Sequence, residues 1–304
     1  MADIQFQQFL EAFSLGLTNV YEDNLKQHKK TYPEILREEQ AKHWFDTDWL
    51  TSGLGAMPLK EIGAAISTDR ILKAPTKQFE LQAFALATTI DHEALEWDLY
   101  GVFSGLPQEL AKSAVDRYNV LGYSVYNNSF SAPSADYEIY SGENMISATH
   151  ARLDGGTWSN SLTGNPSIAY LALQDVIINL SRLVNERGRF VVLEAKHIIC
   201  APEQAWVARE VIQSPFRNDV AAATTKNLLR DGMSVHTSPY LTAVQSWWAL
   251  SDKKDLGAFM RLGKGPMLKR DQDIRTLAFV MVSYMSCNIA VFDSRGLIGS
   301  TGGA

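Results

Sequence analysis

Helical spacing of hydrophobic positions is clearest over 107–127. Leu110, Ala114, Tyr118, Leu121 and Val125 recur at steps of four, four, three and four, with Lys112, Asp116 and Asn119 on the other face. Pro107 suits a first turn, and the helix is about 30 Å long at 1.5 Å per residue. Weaker stripes predict helices over 3–17 (Ile4, Phe9, Phe13, Leu17), over 33–45 with Pro33 early, and after Asp91, a good N-cap. Ile168, Leu171, Val176, Leu180 and Leu183 or Val184 predict a helix over 168–187, closed by Gly188. EQAWVAREVIQS predicts a further helix.

Strand patterns differ. HIICAP, 197–202, is a short apolar run with a proline stop, hence a buried strand. SWWALSD places one tryptophan ring on each face of a strand. TLAFVMVSYM is apolar on both faces, and IAVFDSRGLIG adds a second strand and a turn. The tail STGGA is expected to be loose. Residues 128–165 read as loops with short strands, and 215–238 as polar and irregular. Helices and strands follow in mixed order, which gives an α+β class without doubly wound alternation.

Between 52 and 80 the periodicity is lost. SGLGAMPLKEIGAAISTDRILKAPTKQFE mixes glycine, alanine, proline and charge, and reads as a long loop or two-stranded ribbon. Lys60, Arg70, Lys73 and Lys77 stand in it with Glu61 and Asp69. One reading is a solvated hairpin; the other is an arm reaching onto another subunit.

Composition narrows the choice. The chain has 304 residues, enough for one large domain or two modest ones. Charged residues are only 20%, which leaves neutral surface suited to subunit contacts. The net charge is -6, and the one short basic cluster, Lys26 to Lys30, is diluted by Glu22 and Asp23. That argues against tight nucleic-acid binding, which needs clustered Lys and Arg. MADIQFQQFLEAF has neither the basic nor the apolar part of a signal peptide. The longest charge-free stretch, Thr276 to Phe292, falls short of the roughly 20 apolar residues that span a bilayer, so a soluble protein is expected. Cys200 and Cys287 lie in apolar runs and are expected as buried free thiols.

Candidate chemistry is thin. GENMISATHARLDGGTWSN, 142–160, holds His150 with Asp154 four residues on, but the adjoining glycine turn spoils helical alignment of the pair. There is no HExxH, CxxC or GxSxG, and GLGAMPLKEIG and LGKGPMLK miss the spacing of nucleotide loops. No catalytic, cofactor-binding or metal residue is assigned. A lone histidine beside a turn is expected to hydrogen-bond a loop; the competing reading is an α+β enzyme using His150, Asp154 and His197.

These features resemble the major capsid proteins of tailed bacteriophages, and within them the Mu-like major head subunit group. GENMISATHARLDGG…WSN stands where that family carries a glycine, an apolar pair, Ser/Thr-x-His and a later Asn. Met145-Ile146 departs from the family's frequent phenylalanine. The helix 168–187, HIICAP, the helix ending VIQS, Asn227, SVHTSPYL, SWWALSD and Arg295-Gly296 follow in the family's order, over about half the chain. The resemblance implies the Johnson, or Hong Kong ninety-seven type, fold. Residues 1–52 would be an N-terminal arm and 53–80 an extended loop over a neighbouring subunit. Residues 81–165 and 258–304 would be a peripheral domain with spine helix 107–127, and 166–257 an axial domain. It further implies hexamers and pentamers of an icosahedral shell around double-stranded DNA, without catalysis or cofactor. The partners would be other copies, with scaffolding, portal and decoration proteins; the location would be the virion, after assembly in the host bacterial cytoplasm. Lys60, Arg70, Lys73 and Lys77 become candidate subunit contacts. The start of the chain close to the arm points to a separate scaffolding protein. An encapsulin-like nanocompartment shell is the alternative of the same fold.

Overall fold

The computed structural model describes residues 16–63, 65–91, 105–217, 219, 225–273, 275–276 and 278–303. Helix α1 covers 16–27, and a 3-10 turn follows at Tyr32–Glu34. Four strands come next: β1 (Arg37–Gln40), β2 (Phe45–Asp48), β3 (Lys77–Glu80) and β4 (Gln82–Ile90). Helix α2 (Leu106–Asn127) precedes the two-residue strands β5 (His150–Ala151) and β6 (Thr157–Trp158). Then come α3 (Tyr170–Ser181), β7 (His197–Cys200), α4 (Ala205–Gln213), β8 (Ser234–Thr237) and β9 (Trp247–Leu250). The chain closes with β10 (Gly257–Leu262), β11 (Met267–Gln272), β12 (Phe279–Asp293) and β13 (Leu297–Ser300).

Two sheets organise the molecule. In the first, β12 runs for 15 residues with β10 and β11 in succession along one side and β4 along its first half on the other. β1 joins the edge of β10 in parallel. The stripe of α2 covers one face, where Ala114, Tyr118, Leu121 and Tyr126 meet Met285, Cys287, Ile289 and Val291. The second sheet has the order β13-β9-β7-β8, with β7 and β8 parallel. Alternation gives it two cores. Ile199, Trp248, Leu250 and Leu297 face the core shared with α2. Ile198, Cys200, Trp247, Ala249 and Ile298 face a second core under α3 and α4. The two adjacent tryptophans therefore occupy opposite cores, as strand alternation requires.

Several expectations are corrected. Of the helix expected over 3–17, only 16 and 17 lie among the described residues, and the helix continues to 27 because Leu17, Tyr21 and Leu25 extend the stripe. The helix expected after Asp91 lies outside the described residues. The helix expected over 33–45 is a 3-10 turn and two strands. Ile35 and Leu36 are buried, but Glu39 and Gln40 stand where a helix would need its next apolar residues. α3 ends at Ser181, not at 187. Asn185 accepts from the Arg187 and Arg189 amides, and Gly188, at φ +71°, completes that turn instead of capping a helix. The two strands expected at 276–285 and 289–299 are joined as one, β12, because its polar residues are paired. Ser286 Oγ accepts from the Lys264 amide and Asn288 donates to Glu80 O. The tail is also held: Ser300 donates to Pro166 O, and at Gly302 (φ +81°) a Cβ would collide with Gln245 O.

Candidate assembly surfaces

The 142–160 segment is a buried polar hub. The hairpin β5–β6 pairs His150 with Trp158, and the imidazole stacks on the indole at 4.3 Å. His150 is fully buried. Its Nδ1 faces Glu143 Oε2 at 2.9 Å and its Nε2 faces Asn160 Oδ1 at 2.9 Å. Asn160 also accepts from the Ser147 amide and donates to Met145 O. Met145 and Ile146 fill the first core. The His150 and Asn160 side chains are bonded on every side to other parts of the same chain, which offsets the cost of burying them; the Trp158 indole N–H is buried without a partner. Asp154 bonds elsewhere, to Arg152 and the Gly156 amide. His197 lies on β7 against Ser234 and His236. The three residues of the enzyme reading thus belong to three separate networks. Among the described residues, no group of three or more His, Cys, Asp and Glu could hold a metal. Burial pushes the Cys200 thiol up to about 11 and the Cys287 thiol up to about 12, the unreactive form expected of packed free thiols.

A second buried network ties this segment to the chain's end. Glu186 accepts from Tyr140 Oη at 2.6 Å and the Leu153 amide at 2.8 Å, and pairs with Arg295. Arg295 also reaches Val184 O and Asp293, and stacks over Trp158.

The ribbon behaves in the opposite way. β2 and β3 pair antiparallel, and the neck continues through the Thr51–Lys73 bridge, Ser52 N–H to Leu72 O and Ala74 N–H to Leu50 O. Its inner face carries the charges: Asp46 and Asp48 both pair with Arg261 on β10. Its outer face carries Phe45 and Trp49, both exposed. Past the neck, Asp69 accepts from the Gly55 and Arg70 amides and pairs with Arg187. The two amide bonds, helped by Arg187, hold the Asp69 carboxyl below the usual range. Beyond that pinch, Met57 (99% exposed), Leu59 (93%), Ile62 (107%) and Ile66 (78%) project into solvent.

The four candidate contacts separate on this geometry. Lys60 and Arg70 are on the exposed loop, and Lys73 sits at its neck with its ammonium 5.6 Å from the Trp49 ring centre. Lys77 turns inward: its ammonium donates to Glu138 O and Val291 O, and burial pushes it down to about 8. It is engaged within its own chain. Charge spacing could not separate these four; the exposed residues with most area to bury are the apolar ones between them. Their signal was present as methionine, leucine and isoleucine inside a segment without periodicity.

A body whose described buried polar clusters bond within the chain, and whose loop over 53–72 offers apolar side chains to solvent, has the make-up of a shell-building subunit. Comparison with known proteins agrees. The profile of the family described as Phage capsid protein matches residues 74–300. The chain belongs to that phage capsid protein family. A search of curated proteins finds no match. Among solved structures, the chain is similar to the capsid of the cyanophage P-SCSP1u (TM-score 0.61, 10% identity, 89% of this chain and 87% of that one). It is also similar to the capsid of the native GTA particle (TM-score 0.58, 11% identity, 88% of each chain). A virus-like particle from Pyrococcus furiosus aligns with TM-score 0.51, 8% identity and coverage of 93% and 97%. Identities this low show the fold alone, and that fold is the tailed-phage capsid type. Family and fold together make the chain the major capsid subunit of a tailed-phage head, a structural protein of the virion.

Proposed function

We propose that the chain closes an icosahedral shell of hexamers and pentamers around double-stranded DNA, and that each copy lays residues 53–80 over its neighbour. The supporting observation is the row of large apolar side chains from Met57 to Ile66 held out beyond the pinched neck. Exposing them costs free energy in an isolated chain, at roughly 25 cal/mol per Å² of apolar area, and burial between copies recovers it. In this reading 1–52 is the arm, 81–165 with 258–304 the peripheral domain, and 166–257 the axial domain. β13 is drawn from the closing residues but pairs with β9, so it fastens the axial sheet to the peripheral one. The motif order over 142–296 supports a place near the Mu-like group. Scaffolding, portal and decoration proteins are the further partners of such a shell, assembled in the host cytoplasm before the virion matures. The net charge of -6 suits a container that confines DNA without gripping it.

Lys60, Arg70 and Lys73 are the charged contacts of the loop in this reading. Arg70→Glu or Lys73→Glu should weaken shell formation, seen by electron microscopy, while leaving the thermal melt in place. Equal loss of folding and assembly would remove the loop assignment. The likeness to a virus-like particle keeps a cargo-holding shell as the second reading. Nucleic-acid and protein content of purified particles separates the two.

A further inference from the structure

The parallel pair β7–β8 sets His197 opposite Ser234, and His236, two residues on, stands on the same face. His197 Nδ1 lies 2.6 Å from Ser234 Oγ and 3.1 Å from His236 Nε2, with the two rings edge to face at 5.0 Å. The other His236 nitrogen, Nδ1, faces Glu34 Oε2 of the 3-10 turn Tyr32–Glu34 at 3.1 Å. Lys253, just after β9, fastens the same turn by donating to Pro33 O at 2.7 Å. β8 is the edge of its sheet, paired with β7 alone among the described strands, and this cluster ties it to the turn.

We propose that His197 and His236 are a proton-operated clip: with no added proton or one they hold β8 to β7 and to the turn, and with two they let its edge go. In the neutral pair, His236 donates from Nδ1 to Glu34, and its Nε2 accepts from His197 or from Ser234. One added proton makes His236 a donor at both nitrogens, to Glu34 and to His197 Nδ1, and turns the Glu34 contact into an ion pair. A second added proton leaves two charged rings with protonated nitrogens 3.1 Å apart. Ser234 Oγ can accept from both rings, but the like charges still repel. Lys196 and Lys253 add to the positive charge. Glu34 and Asp252 are the anions that face the pair, and each is shared with a lysine, Lys29 at 3.7 Å and Lys196 at 3.5 Å. Burial and the His236 ring, with Lys196 and Lys253, accordingly hold His197 below its ordinary value, against the pull of Asp252. Below about pH 6.5 an unfolded His197 takes a proton that the folded one refuses, so this group's contribution to stability is lost as pH falls. The clip lies within one chain and does not depend on the shell reading.

The test uses the full chain. Backbone hydrogen exchange of Ser234–Thr237 is followed by mass spectrometry at about pH 7.5 and about pH 5, corrected for the chemical exchange rate. In the wild type, protection of these amides should fall more than about tenfold at the lower pH. His197→Asn and His236→Gln keep a hydrogen-bonding group near Nδ1 and Nε2 respectively but take no proton, and each should reduce the fall to less than about threefold. Reading the exchange at β8 keeps His150 and its network out of the result. Wild-type protection unchanged between the two pH values would overturn the clip. A fall of wild-type size in both variants would assign it to other groups and overturn the clip as well. Should a variant not fold, the wild-type rings decide. Followed by nuclear magnetic resonance, the two should take up protons in separate steps, and one shared step at the ordinary histidine value would sink the proposal.

Discussion

The loop over 52–72 and the segment over 142–160 look alike as sequence. Both are rich in glycine, serine and alanine, and neither keeps a helical or strand period. In the folded chain they are opposites. The second buries a histidine and an asparagine, which bond to each other, to the half-buried Glu143 and to backbone. The first exposes methionine, leucine and isoleucine. Polar groups can be satisfied inside one chain if the geometry is complete. Apolar groups on a loop too thin to enclose them can be satisfied only by another surface. Burial of the polar segment is a folding matter, and exposure of the apolar one is an assembly matter.

The contrast can be broken or sharpened by substitution. The largest effect falls on the loop: Met57→Asp with Ile62→Asp should abolish shells while shifting stability by no more than about 0.5 kcal/mol, since both side chains are solvated in the single chain. Electron microscopy and urea unfolding of the same preparation check both halves. Next, Glu186→Ala leaves the Tyr140 hydroxyl and the Leu153 amide without an acceptor and the buried Arg295 guanidinium with only Asp293 and Val184 O, and should cost about 3 kcal/mol by chemical denaturation. Asn160→Ala leaves the Ser147 amide, the Met145 carbonyl and His150 Nε2 without a partner, for about 3 kcal/mol. A stability loss below about 1 kcal/mol at Asn160 would mean that the knot is more open than its distances imply.

The smallest effect concerns pH. Lys77 is pushed down to about 8 by burial, whereas an unfolded lysine keeps its proton to about 10.4. Between pH 8 and 10 the unfolded lysine therefore holds a proton that the folded one has lost, and Lys77 by itself raises stability with pH; Cys200 and Cys287, held up to about 11 and 12, oppose it, because unfolded thiols ionise from about pH 8.5. Above it, Tyr32 and Tyr126, raised by burial, stay protonated while unfolded tyrosines ionise, and add to the fall. Lys77→Met removes the rising contribution, so the variant's stability should fall more steeply between pH 8 and 10 than the wild type's. An unchanged slope would place the Lys77 amine in water and return it to the loop's contact surface.

Some of the fold was legible beforehand. The stripe of α2 has one way to be buried, and the adjacent tryptophans of β9 have one strand geometry that serves both. Other parts were not. Arg37–Gln40 is a strand because β10 lies beside it, more than 200 residues away in sequence, and no local pattern carries that information. β10 and β11 were missed because RLGKGPMLKRDQ alternates weakly and contains a proline; the long β12 holds them in register. α3 stops early because Glu186 is drawn to Arg295, a partner near the chain's other end. In the 142–160 segment the structural role of His150 was legible from the absence of a ligand set, but its partners Glu143 and Asn160 were not.

The chain's residues alone determined the mixed class, the long packing helix, the two-sided tryptophan strand and the outlying loop, since each depends on spacing between neighbours. Only the tertiary structure decided which polar groups are buried and which apolar ones are left facing water. Those outcomes depend on contacts between segments far apart in the chain, and local periodicity has no term for them.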